Sequence, residues 1–145
     1  MRNIKLLPLA AAALMSLFAM APSTANAQQP IMYHTALADL RTARYFLQQD
    51  HRPQYAQRES KAIEEMSKAI DDISKVVIND GGKPWQQPPP QAGADPGTPI
   101  HSAFKLLNEA HEDVARGVDV PPNQGLQVRA LRHIDEALNQ LRPLQ

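Results

Sequence analysis

The chain has 145 residues, 15 Lys and Arg against 15 Asp and Glu, and no Cys. That length fits one domain. The balanced charge gives no electrostatic footprint for nucleic acid. Without Cys there is no lipid-modified cysteine, no disulfide and no covalent c-type haem.

The first 27 residues read as a secretory signal peptide. Arg2 and Lys5 form a basic start, residues 6–20 an apolar stretch, and Ala25 and Ala27 an A-x-A cleavage site. That apolar stretch is short for a membrane span, so no stable membrane anchor is expected after cleavage. Removing 27 residues from 145 leaves 118, and the loss of Arg2 and Lys5 leaves 13 basic residues against 15 acidic, a net charge of about −2. The expected location is periplasmic or secreted.

Residues 28–145 predict an all-α fold. Four segments carry apolar residues at spacings of three and four, and none alternates with period two. Ala36, Leu37, Leu40, Ala43, Phe46 and Leu47 share one face of the first. Pro53 is placed to open the second, whose face holds Ala62, Ile63, Met66, Ala69, Ile70, Ile73 and Val77. Asn79-Asp80-Gly81-Gly82 stops it. These two segments make a hairpin over about 31–79. A proline-rich linker, 80–98, follows. Thr98 and Pro99 supply an N-cap and a first-turn proline for the third segment, with Ile100, Ala103, Phe104, Leu107, Ala110 and Val114 on its face. Gly117, Pro121 and Pro122 separate it from the fourth, which carries Leu126, Ala130, Leu131, Ile134, Ala137, Leu138 and Leu141 and ends at Pro143. The second hairpin covers about 99–142.

The halves match each other. A shift of 67 residues places His34, Ala36, Leu37, Leu40 and Ala43 on His101, Ala103, Phe104, Leu107 and Ala110. A shift of 68 places Lys61, Ala62, Met66 and Ala69 on Arg129, Ala130, Ile134 and Ala137. This is the pattern of a duplicated helical hairpin. One hairpin cannot hide its apolar stripe, so two are expected to close into a four-helix bundle.

The linker is the least helical part. Pro84, Pro88, Pro89, Pro90 and Pro96 favour extended polyproline conformation, and a connection of this length is unusual inside a compact domain. Trp85, the single Trp, has two readings. It folds back on the bundle and pins the loop, or with Pro88, Pro89 and Pro90 it forms a docking segment for an unknown protein partner.

Catalysis has no motif: there is no nucleophile elbow, phosphate-binding glycine loop or H-E-x-x-H pair. The paired carboxylates Glu64-Glu65 and Asp71-Asp72 read as solvated surface. A non-enzymatic protein is expected. Histidines are the chemical lead, since neutral imidazole ligates copper, nickel and zinc. In an up-down-up-down bundle, His34 and His101 would start their helices at one end, within reach of Asp80. His111 and His133 form a second candidate pair. The alternative for all four is a capping or packing role.

Helices written A-L-R-H-I-D-E-A-L-N-Q-L-R over 130–142, with His101 and Ala103 in the third helix, resemble the periplasmic small metal-binding proteins. That resemblance implies an exported four-helix bundle that binds divalent metal through histidines. This chain has five His and none in 58–78, a departure from that family's density of histidines.

Overall fold

A computed structural model describes residues 25–85, 98–118 and 121–145, with side chains from residue 32 onward. Four helices account for its regular structure, and the described residues contain no strand: α1 Ala25–Gln49, α2 Ala56–Asn79, α3 Pro99–Arg116 and α4 Leu126–Leu141. A 3-10 turn over Arg142–Leu144 closes the chain. Most of the signal-peptide expectation falls outside the described residues, and α1 starts at Ala25 rather than near residue 31.

Each helix is written in heptads. In α1 the repeating pairs are Leu40/Leu47 and Ala36/Ala43; in α2 they are Met66/Ile73 and Ala62/Ala69. In α3 they are Leu107/Val114 and Ala103/Ala110; in α4, Ile134/Leu141 and Ala130/Ala137. All eight of these Ala side chains are fully buried. A small residue once per heptad on every helix lets neighbouring axes approach closely, while the large residue between fills the core.

The pairing of helices departs from the up-down-up-down expectation. The two most extensive contacts are α1 with α3 and α2 with α4; α1–α2 and α3–α4 are smaller. The helices therefore run around the bundle in the order α1, α2, α4, α3. Tyr33, near the start of α1, lies against Gly117, just past the end of α3. Asp39 faces Glu109 and Asp113. So α1 and α3 are antiparallel. His133–Glu65 and Arg129–Asp72 show the same for α2 and α4. Every neighbouring pair is then antiparallel, which sets helix dipoles head to tail.

This topology gives the linker a purpose. Helix α2 ends where α1 begins, whereas α3 begins at the opposite end. The connection must cross the length of the bundle. Helix α3, at 18 residues, is about 27 Å long. The 18 residues from 81 to 98 reach about 55 Å when extended as polyproline. Prolines suit such a crossover because they favour extended conformation and disfavour helix.

Local signals behave unevenly. The stop at Asp80 is a Schellman motif: Gly82 N–H donates to Val77 O at 2.8 Å and Gly81 N–H to Ile78 O at 2.9 Å, with Gly81 at φ 79°. Thr98 caps α3, its Oγ1 accepting from His101 N–H at 3.2 Å. Pro53 does not open α2. It lies in a turn whose carbonyl accepts from Ala56 N–H, and the helix begins at Ala56 without a side-chain cap.

Candidate functional site

The crossover leaves α2 along α1. A Cβ on Gly82 would sit 3.3 Å from His34 Nε2 and 2.9 Å from Val77 Cγ1, so only glycine permits this close approach. Two residues later, Arg41 Nη1 donates to the Pro84 carbonyl at 3.0 Å. The chain has moved from the level of residue 34 to that of 41, toward the end where α3 starts. Pro84 is buried. Trp85 is not: 71% of it is exposed. Of the two expectations for Trp85, folding back to pin the loop is therefore corrected. Pro84 and Arg41 fasten the strap, and a helical Arg reaching a carbonyl across 43 residues carries no signal in the sequence. Pro88, Pro89 and Pro90 lie outside the described residues.

The four candidate histidines do not converge. His34 sits beside Gly82, half-buried, its Nδ1 buried with no hydrogen-bond partner. His101 lies at the opposite end, exposed, its Nδ1 3.0 Å from Gln145 Oε1. The expectation that these two share one end fails because α1 and α3 are antiparallel. Asp80, proposed to join them, accepts from Asn123 Nδ2 at 2.8 Å. His111 Nε2 lies 3.3 Å from Asp135 Oδ1, and His133 Nδ1 lies 2.6 Å from Glu65 Oε2. Asp135 and His133 are two residues apart on α4, about 200° around its axis, so one faces α3 and the other α2. Among the described residues no group of three His, Cys, Asp or Glu is placed to hold a metal ion.

Two end structures were not anticipated. Where α2 and α3 finish, Asn79 Nδ2 donates to Asn123 Oδ1 at 2.8 Å. Asn123 passes the link to Asp80, and Gln127 Nε2 donates to the Val114 and Gly117 carbonyls at 2.7 and 2.6 Å. Gln127 thereby satisfies the Gly117 carbonyl and adds a second donor to the Val114 carbonyl, which also accepts from Gly117 N–H at 3.1 Å. At the other end, Arg52 Nε holds Asp50 Oδ1 at 2.9 Å, and its guanidinium lies 4.7 Å from the Tyr55 ring centroid. Glu59, 4% exposed, adjoins this pair. Its heptad position, seven before Met66, was the available signal: a carboxyl on the core stripe.

Carboxyl environments differ along the bundle. Burial, reinforced by Glu109 and Asp113, raises Asp39 to a pKa of about 6. Burial pushes Glu65 up, but hydrogen bonds from Lys68 and His133 outweigh it and leave the carboxyl below its ordinary value. Asp72 lies between Arg129 and Lys75, at 3.2 and 3.4 Å. No described helix is long and apolar enough to cross a membrane. No family model, no curated protein and no solved structure matches the chain.

Proposed function

We propose that this chain is an exported, non-enzymatic bundle of two duplicated hairpins that presents its proline-rich crossover to a protein partner. The observation that carries the reading is Trp85, 71% exposed, directly after a buried proline whose carbonyl is held by Arg41. A large aromatic kept in water on an anchored backbone has its ordering cost already met, and exposed Trp is the residue type that most often anchors an interface. Duplication is supported by the pairing of matched helices, α1 with α3 and α2 with α4, with buried Ala at each matched position. Export is supported by the N-terminal leader. Cleavage after Ala27 would also leave Pro30 in the first turn of α1, where a missing N–H is harmless.

Metal binding through histidines, whether of copper, nickel or zinc, is the weaker reading. Its remaining support is the His111–Asp135 and His133–Glu65 pairs, each of two candidate ligands. The deciding experiment is cross-linking capture from the cell envelope, comparing the parent protein with Trp85→Ala and Tyr45→Ala. Tyr45 is the other strongly exposed aromatic, 58% exposed on α1. A partner lost in Trp85→Ala and kept in Tyr45→Ala supports docking on the strap. Capture that ignores Trp85 sinks it.

A further inference from the structure

Two of the buried polar residues occupy equivalent heptad positions on the core stripes of α2 and α4. Glu59 occupies the seam of α2 one heptad before Met66 and Ile73. Gln127 occupies the seam of α4 one heptad before Ile134 and Leu141. The two are 68 residues apart, the same register that aligns Ala62 with Ala130 and Ala69 with Ala137. They are therefore equivalent positions, and both are buried, at 4% and 9% exposure.

Their chemistry differs in donation: an amide donates at any moderate pH, a carboxyl only when protonated. The Gln127 amide donates to carbonyls at the end of α3. Glu59 lies beside Asp50, the residue that follows the end of α1. An ionised Glu59 can only accept, and so can an ionised Asp50. The two carboxyls lie close enough to act on each other, and a hydrogen bond between them requires one proton. Glu59 Oε1 is buried with no partner at all. A buried carboxylate in that state carries a large desolvation cost, whereas the neutral acid is the near-isostere of the Gln127 amide.

We propose that Glu59 is a proton-operated latch. Protonated, it fastens the α1–α2 connection to the bundle through Asp50; ionised, it loosens that end while the α3–α4 end stays tied by amides. The ionisable groups acting on Glu59 are Asp50 and Arg52, both in the connection, and none from α3 or α4 is among them. Tyr55 acts on Arg52, and His51 in the same connection is exposed. Burial first, then Asp50, raises the Glu59 carboxyl above its ordinary value, with Arg52 opposing. Asp50 is held low, chiefly by its hydrogen bonds to Arg52. The sign follows. Glu59 favours the folded state below its ordinary pKa, and that contribution is lost as pH rises through the raised value. Asp50 acts in the opposite sense and at lower pH.

The test is amide hydrogen exchange of the parent protein and Glu59→Gln, compared at each pH from 4 to 8 so that the intrinsic exchange rate cancels. Glu59→Gln is the residue α4 already carries at the equivalent position, and circular dichroism checks that it folds. Residues 47–62 are expected to exchange alike in the two proteins at pH 4 and severalfold faster in the parent at pH 8, with 114–130 unchanged. Equal exchange at every pH overturns the latch. So does a difference that is constant with pH, or one spread evenly over all four helices.

Discussion

The two ends of the bundle solve one problem in different ways. Each must connect two helices and satisfy the carbonyls that α1 or α3 leaves open. Where α2 and α3 finish, the work falls to neutral amides: Asn79, Asn123 and Gln127 form a network, and the buried Tyr33 ring lies against Gly117. Where α1 finishes, the connection is built from charges: Arg52 holds Asp50, and the buried Glu59 lies beside that pair. Amides bond equally well at any moderate pH. Carboxyls bond as acceptors or donors depending on their protons, so the same geometry becomes conditional. The difference between a constant end and a conditional one turns on a single residue type at positions 59 and 127.

The largest expected effect breaks the constant end. Tyr33 is 1% exposed, and Tyr33→Ala would leave a ring-sized gap beside Gly117, costing about 3–5 kcal/mol by analogy with other buried aromatics. Urea unfolding measures it. A loss below about 1 kcal/mol would mean that the α1–α3 contact is not a core contact in solution. Gln127→Ala comes next. It takes the side-chain donor from the Gly117 carbonyl and one of two donors from the Val114 carbonyl, for an expected loss of about 1–3 kcal/mol that stays the same between pH 4 and 8. If that loss varied with pH, the contrast between the ends would collapse.

Asp39 sharpens the comparison from the middle of the bundle. Its carboxyl is raised to about 6, first by burial and then by Glu109 and Asp113. A raised carboxyl favours the folded state at low pH, and that contribution disappears as pH climbs from 3.8 through about 6. Asp39→Asn should therefore raise the thermal midpoint above that of the parent at pH 7, and the gain should vanish near pH 4. Because Asp39 on α1 faces Glu109 and Asp113 on α3, the effect belongs to global unfolding and not to one connection. Exchange confined to residues 47–62 would separate the Glu59 latch from it.

Much of this fold was legible in the sequence, for reasons that are themselves local. Spacings of three and four marked the helices, Gly81 and Gly82 marked the end of α2, and Thr98-Pro99 marked the start of α3. The direction of α3 was not legible. A linker of 18 residues is long enough either to turn back at once or to cross the bundle, so helix direction depends on which faces pack best over long range. That one choice moved His101 to the far end from His34 and dissolved the expected pair. Trp85 misled for a related reason: an unpaired aromatic suggests burial, but the anchor is Pro84, held by a backbone carbonyl that any residue possesses. Glu59 was visible as a carboxyl on an apolar stripe, and only its heptad register with Gln127 gives it meaning.

The smallest effects divide the start of α3. Thr98 accepts the His101 N–H at 3.2 Å, so Thr98→Ala should cost about 1 kcal/mol, the usual value of such a cap. His101→Ala should change stability by less than about 0.5 kcal/mol. Its backbone N–H, the part used by the cap, survives the substitution. Its imidazole is exposed and meets the Gln145 side chain at 3.0 Å. The His101 variant also reaches the metal question. If His34 and His101 jointly held copper(II), calorimetric titration would lose the saturable phase in either single alanine variant. Placed at opposite ends of antiparallel helices, they cannot share an ion within one bundle. The expected titration of His101→Ala therefore matches the parent protein, and a phase lost in His101→Ala would mean that the direction of α3 is wrong.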